Sequence, residues 1–338
     1  MDSRMTDLQF ETIAGTAWAT LDRPKALNAL SRPMIDGLAA WLSKTLADNK
    51  ISCLGIRSAH RAAFSAGGDV RALYAARQAG DWAFVHSFYW HEYRLNRAIR
   101  HCRKPYIAVI DGLVMGGGAG VSINGSHRIA GPNARFAMPE TGIGFFPDVG
   151  ASWFLSRCPG QLGVYLALTG EVIGQADMLH AGIATHCLPA GVHLTRYSEV
   201  AGLPVEAGAA PLAARQGVID RCFAGNSVET ILAALAAENS DWARDCARKL
   251  GQRAPLALKV TLRQLRIATT LSFDEAMVME YRLARHFMAG HDFFEGVRAA
   301  VIDKDRKPRW NPASLEEASD ELVESYFTAG EGRDLEFA

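Results

Sequence analysis

The chain has no C-x-x-C pair, no long apolar run and no surplus of charge of either sign, and each absence removes a class of protein. Its six cysteines, Cys53, Cys102, Cys158, Cys187, Cys222 and Cys246, are scattered over 338 residues. They are too few and too dispersed for a disulfide scaffold and suit a reducing, cytoplasmic location. The opening MDSRMTDLQF lacks the apolar core of a secretory signal, and no Arg- and Ser-rich transit segment precedes the strand pattern that starts near Leu8. No apolar run approaches the length of a membrane span. The formal net charge is +0, so no basic excess points to nucleic acid or to an anionic membrane. An anionic substrate would need a local basic cluster or backbone donors.

Several catalytic signatures are also missing. No glycine run leads into Gly-Lys-Ser/Thr, which excludes a Walker phosphate loop. Gly120-Val121-Ser122-Ile123-Asn124 ends in Asn, so there is no nucleophile elbow of the G-x-S-x-G type. Gly118-Ala119-Gly120 is followed by Ile123 where a dinucleotide fingerprint needs its third glycine. His91-Glu92 begins a zinc motif, but Leu95 occupies the position of the second His, and no metal site is expected. No internal repeat is present.

What the chain has is an ordinary globular composition, 49% hydrophobic and 21% charged, at a length that suits a large domain with an appendage. Its densest stretch runs from Lys104 to Gly150. Tyr106 to Ile110 is rich in Ile and Val and reads as a buried strand. Gly116, Gly117 and Gly118 follow, then an apolar segment. A strand, a glycine turn and a helix start leave backbone N–H groups that a developing negative charge could use. A tight turn with close helix–sheet packing reads equally well from the glycines alone. Two strand-like runs, His127 to Ala130 and Ala134 to Met138, lead to Pro139-Glu140-Thr141-Gly142 and Phe146-Pro147-Asp148-Val149-Gly150. Both acids sit in rigid turns among Met138, Ile143, Phe145 and Phe146. Apolar surroundings raise a carboxyl's proton affinity and suit it to acid–base work near neutral pH. For Asp148, capping a helix over Gly150 to Ser156 is the competing reading.

Elsewhere, Leu8 to Ile13 and Thr16 to Leu21 read as a hairpin around Ala14-Gly15. Ser31 is an N-cap for a helix with Met34, Leu38 and Leu42 at helical spacing. Cys53 to Arg57 is a strand, and Phe64 to Asp69 a glycine turn into a helix from Val70 to about Arg77. Trp82 to Arg100 carries an aromatic stripe that reads as core. Residues 191–211 are rich in Ala, Gly and Pro and read as a linker or variable loop. From Leu212 the chain is helical and amphipathic, with a capping box at Ser272 and Glu275, and an acidic, helical tail from Pro312.

The glycine segment, MPETGIGFFPDVG and Phe64-Ser65-Ala66-Gly67-Gly68-Asp69 together resemble the enoyl-CoA hydratase/isomerase (crotonase) superfamily. HEYRLN and YRLARHFMAGHDFFEGVRA are similar to its 3-hydroxyisobutyryl-CoA hydrolase branch. The resemblance covers about Leu8 to Pro312. It implies an α/β fold, a crotonase-like ββα spiral core at 1–190, with a C-terminal helical region at 212–338. Alternation of short strands with helices gives the α/β class by pattern but would not distinguish the spiral from a doubly wound sheet.

The resemblance also implies roles. The N–H groups of Gly68 and Gly117 would form an oxyanion hole. Lys25, Ala26 and Leu27 would line the nucleotide end of CoA, although a lone loop lysine is ordinarily just solvated. Glu92 would contact substrate, with a solvated helix glutamate as the alternative. A hydratase of this superfamily needs two acids, one just after the triple glycine and one in the P-E turn. Gly120 stands at the first position and Glu140 at the second, while Asp148 adds an acid where a hydratase usually has glycine. The expected reaction is therefore hydrolysis of a short 3-hydroxyacyl-CoA, most simply 3-hydroxyisobutyryl-CoA from valine breakdown, with 3-hydroxypropionyl-CoA a second substrate. Glu140 would serve as nucleophile or as base on water, and Asp148 would orient water or the substrate hydroxyl. No cofactor is implied, CoA being part of the substrate and a product. Enoyl-CoA hydration or isomerisation, another acyl specificity, and a non-catalytic CoA-binding role stay open. The presence of both acids and both glycine turns argues against the last. Superfamily members commonly form homo-oligomers, trimers or hexamers, though the hydrolase branch need not.

Overall fold

The structure, a computed structural model, describes residues 3–5, 7–330 and 333–337. Its strands are β1 (Ser3–Met5), β2 (Leu8–Ile13), β3 (Thr16–Leu21), β4 (Cys53–Ser58), β5 (Ala63–Ser65), β6 (Tyr106–Ile110), β7 (Leu113–Met115), β8 (His127–Ala130), β9 (Arg135–Ala137), β10 (Ile173–Gly174) and β11 (His186–Cys187). The expected hairpin is present. Ala14 and Gly15 both take positive φ, +47° and +80°, the turn geometry that matches strand twist.

The chain forms two compact units. The first comprises 1–69, 91–137 and 172–213, and the second 70–90, 138–171 and 214–338. The division falls inside the long helix Trp82–Arg100. The expected core segment 1–190 is therefore divided between the two units, while 191–211 lies wholly in the first.

The first unit holds both sheets. One has the strand order β1-β2-β3-β4-β6-β8-β11 and the other β10-β9-β7-β5. From β4 to β9 successive strands alternate between the sheets: β4, β6 and β8 enter the first, and β5, β7 and β9 the second. Pairing is parallel along β3-β4-β6-β8-β11 and along β5-β7-β9. Each winding thus lays one strand in each sheet, which is the ββα spiral rather than a doubly wound sheet. Residues 191–211 are more than a linker. Leu194 and Val200 are buried on the first sheet with Trp18, Cys53, Ile107 and Ile129, and the Trp18 indole N–H donates to Thr195 O at 2.9 Å. Richness in Ala, Gly and Pro hides those two apolar anchors.

Within the second unit the secondary structure is helical. Leu162–Thr169 is buried along its whole length. Pro255–Ala268 starts on proline and buries Leu256, Leu258, Val260, Leu262 and Leu265. Phe273–Ala289 carries the expected capping box, with Ser272 accepting from the Glu275 N–H. The tail after Pro312 has one short helix, Asp320–Ser325, among the described residues. No helix among the described residues is long and apolar enough to cross a membrane.

Candidate active site

The candidate residues fall into two groups, one in each unit. In the first unit, β5 runs into Ala66-Gly67-Gly68-Asp69, where Gly67 takes φ +111°. The Leu27–Leu30 segment is stitched to this turn: Ala66 N–H donates to Leu27 O, Leu30 N–H to Gly67 O and Asp69 N–H to Leu30 O, all at 2.8–2.9 Å. Asn28 anchors the segment from beneath, its amide donating to Ser58 Oγ and Phe64 O. Lys25 is exposed and Leu27 is 45% exposed, so this loop offers an open rim, while Arg23 at its start pairs with Asp69 of the glycine turn at 2.9 Å.

The triple glycine lies beside that turn. Gly116, at φ +43°, precedes the short helix Gly117–Gly120. A Cβ on Gly67 would stand 3.8 Å from Gly117 N, and one on Gly117 would stand 3.1 Å from Gly68 N and 2.4 Å from Glu92 Oε1. The fold therefore brings Gly68, Gly117 and Glu92 together. Neither the Gly68 nor the Gly117 N–H is spent on a backbone hydrogen bond of these turns among the described residues. The neighbouring glycines meet different surroundings. Gly118 serves packing, since its Cβ would fall 2.6 Å from Ser65 O, whereas Gly117 keeps a side chain out of the space at Glu92. Glu92 is 2% exposed, so it is no solvated helix residue.

In the second unit, Glu140 opens a short turn, Glu140–Ile143. Thr141 O accepts from Ala254 N–H at 3.1 Å, and a Cβ on Gly142 would collide with Arg253 Nη1 at 2.3 Å. Gly144, at φ +69°, lets the chain pass the Asp292 carbonyl. The following Phe145 and Phe146 are locked into an aromatic cluster with Phe287 and Phe293. Glu140 is 6% exposed, and its Oε2 has no hydrogen-bond partner among the described residues. Burial first, then the negative charge of Asp148, raises its carboxyl well above the ordinary carboxylate range. Its own backbone N–H and the Arg253 guanidinium oppose the rise. Asp148 is buried at 5% exposure.

The next helix opens with the Ala151 N–H donating to Asp148 O at 2.9 Å and with a second acid, Glu280, beside it. In Ala151–Leu155 the Gly150 N–H and the Ser152 N–H donate to the Glu280 carboxylate, at 2.7 and 2.9 Å. Sequence reading passed over Glu280, Gln264 and Arg253. Glu280 and Gln264 sit on helices whose pattern is amphipathic, Arg253 just before one, and nothing local marks any of them as facing the acid turns. The Glu280 carboxyl is pushed up to about 8 by burial, against the pull of its Ser152 and Gly150 donors.

These residues meet a plain comparison. A family profile described as Enoyl-CoA hydratase/isomerase matches residues 16–327. The chain belongs to that family. It is 42% identical to the 3-hydroxyisobutyryl-CoA hydrolase, mitochondrial, of Xenopus laevis, over 96% of this chain and 89% of the relative. It is equally 42% identical to the protein of that name from Rattus norvegicus, over 94% of this chain and 88% of the relative. A solved structure, described as a carnitinyl-CoA dehydratase from Mycobacterium thermoresistibile, superposes with a TM-score of 0.92 at 37% identity, covering 98% of this chain and 99% of that one. Membership in the enoyl-CoA hydratase/isomerase family accounts for the alternating sheets and the paired glycine turns. One expectation is overturned. The hydrolase relatives are mitochondrial by name, which removes the support that scattered free cysteines lent to a cytoplasmic location. A mitochondrial matrix is also reducing, so thiol chemistry does not separate the two.

Proposed function

We propose that this family member hydrolyses a short 3-hydroxyacyl-CoA thioester, with 3-hydroxyisobutyryl-CoA as substrate and 3-hydroxyisobutyrate and CoA as products. The observation that carries the reading is the inventory of acids. Position 120 is glycine, so the first acid of a two-acid hydration is missing, while Glu140 is buried with the negative charge of Asp148 acting on it. Near-full-length identity to hydrolases supports the same choice.

In this reading the N–H groups of Gly68 and Gly117 receive the thioester carbonyl oxygen as it gains charge. Ionised Glu140 either attacks the carbonyl carbon, expelling CoA thiolate and leaving a mixed anhydride for water to open, or takes a proton from the water that attacks. In both routes the C–S bond breaks, water supplies the new acyl oxygen, and the thiolate leaves with a proton as CoA. Asp148 and Glu92 orient water or the substrate hydroxyl. Lys25, Ala26 and Leu27 offer the open rim for the nucleotide end of CoA. The chemistry needs no metal or other cofactor.

A second reading, addition or loss of water at a double bond, is favoured by the description of the dehydratase structure. One experiment separates them. Purified protein is given (S)-3-hydroxyisobutyryl-CoA with a thiol reagent and, in parallel, crotonyl-CoA with its double-bond absorbance followed. Thiol release that falls about 10²–10⁴-fold in Glu140→Gln, with crotonyl-CoA untouched, is the expected result. Loss of crotonyl absorbance without thiol release overturns the hydrolase reading.

A further inference from the structure

The loop that carries Asp148 is gripped on both sides by helices from the far end of the chain. On its N-terminal side, Gln264 Nε2 donates to Pro147 O at 2.7 Å. On its C-terminal side, Glu280 Oε2 accepts the Gly150 N–H at 2.7 Å, and Oε1 accepts both the Ser152 N–H at 2.9 Å and the Ser152 hydroxyl at 2.6 Å. The same Gln264 Nε2 reaches Ser152 Oγ at 2.6 Å, which closes the network. Glu280, Gln264 and Ser152 are all completely buried.

Between the two grips the backbone is in an unfavourable conformation. Val149, next to Asp148, takes φ +57°, and Gly150 takes φ +94°. A β-branched residue in the left-handed region persists only where its surroundings over-determine it. A helix cap alone would need only the donors at Gly150 and Ser152. It would not need a second side chain on Pro147 O, nor explain a strained valine between them. A fully buried carboxyl is costly to desolvate, and here it is directed at the backbone beside an acid.

We propose that Glu280, supported by Gln264 and Ser152, is a positioning residue that holds the Pro147–Gly150 loop in its strained form and so sets the direction of the Asp148 carboxyl. It acts through Asp148 and touches no substrate. The inference deepens the hydrolase reading and rests on it.

The test is a double-mutant cycle on thiol release, with KM, Tm and amide exchange over 147–152 measured alongside. In Glu280→Gln one oxygen becomes an NH2 group facing a backbone N–H, with the volume unchanged. Ser152→Ala removes one donor and serves if the first variant does not fold. Each is expected to lower kcat about tenfold with KM nearly constant and to speed exchange at Val149 and Gly150. In an Asp148→Asn background the same substitutions are expected to cost less than about twofold further, since coupled residues are not additive. Equal losses in both backgrounds, or unchanged kcat, overturn the proposal, as does a loss of kcat without faster exchange in the loop. That last comparison decides the matter if Asp148→Asn turns over too slowly for the cycle. Wild-type protein that releases no thiol at all would instead bring down the hydrolase reading, and this one with it.

Discussion

The proton affinity of Glu140 is set by what surrounds it. Burial and the charge of Asp148 raise its proton affinity, and Arg253 is the cation that opposes them. Arg253 is itself fixed, since its Nη2 donates to Thr169 O and its Nη1 fills the space a side chain on Gly142 would take. The sign of its effect on rate follows. In the proposed mechanism Glu140 is ionised to attack or to act as base, so activity is expected above its apparent pKa and lost as pH falls through it. Arg253→Met removes the opposing charge and moves that acid limb to higher pH in a kcat/KM profile. Arg253→Lys keeps the charge and moves it less. An unmoved limb in the methionine variant would show that the guanidinium does not act on Glu140. Both acids were legible in the sequence because proline, glycine and phenylalanine crowd them. Arg253 was not, because an arginine just before a helix gives no sign of which turn it lies under.

Among the elements, adjacent glycines of the Gly117–Gly120 turn meet different neighbours. Gly118 is pressed on Ser65, and Gly117 faces Glu92 and the Gly68 N–H. Gly117→Ala keeps the backbone N–H but sets a Cβ 3.1 Å from Gly68 N and against Glu92 Oε1, so it is expected to crowd the proposed oxyanion hole and lower kcat about 10²–10³-fold with the fold kept. Gly118→Ala, whose Cβ would lie 2.6 Å from Ser65 O, is expected to lower Tm instead. Thermal melts and thiol release on the two variants check this. A Gly117→Ala protein with wild-type kcat would show that the space between Gly117, Gly68 N and Glu92 is not used in the reaction. Strands and helices were legible wherever the period was clear. The Tyr106–Ile110 strand and the Ser272 cap have the expected positions. Residues 191–211 were not, because two apolar anchors in a segment of small residues set no period.

For the molecule as a whole, the decisive fact is that its units are interleaved. The chain passes between them at 69/70, 90/91, 137/138, 171/172 and 213/214. Phe145 and Phe146 of the acid turns have ring partners at Phe287 and Phe293, and the helix Leu162–Thr169 packs on Pro255–Ala268. A chain ending at residue 213 would keep both sheets but expose these apolar faces. Such a truncation is expected to bind ANS, aggregate and show no cooperative thermal transition. A soluble 1–213 fragment with a cooperative melt would show that the second unit is dispensable for folding.

The sequence by itself determined the family, the alternation of strand and helix, the two acids and the glycine pair. These depend on local rules: backbone freedom at glycine, rigid turns at proline, and periodic burial. Only the tertiary structure decided that Glu92 is buried against Gly117, that Gly118 is a packing residue, and that Glu280 rather than Asp148 receives the Gly150 and Ser152 N–H groups. Each of those depends on which distant side chain arrives at a turn. A burial pattern shows that a helix face is covered, and only the folded chain shows what covers it.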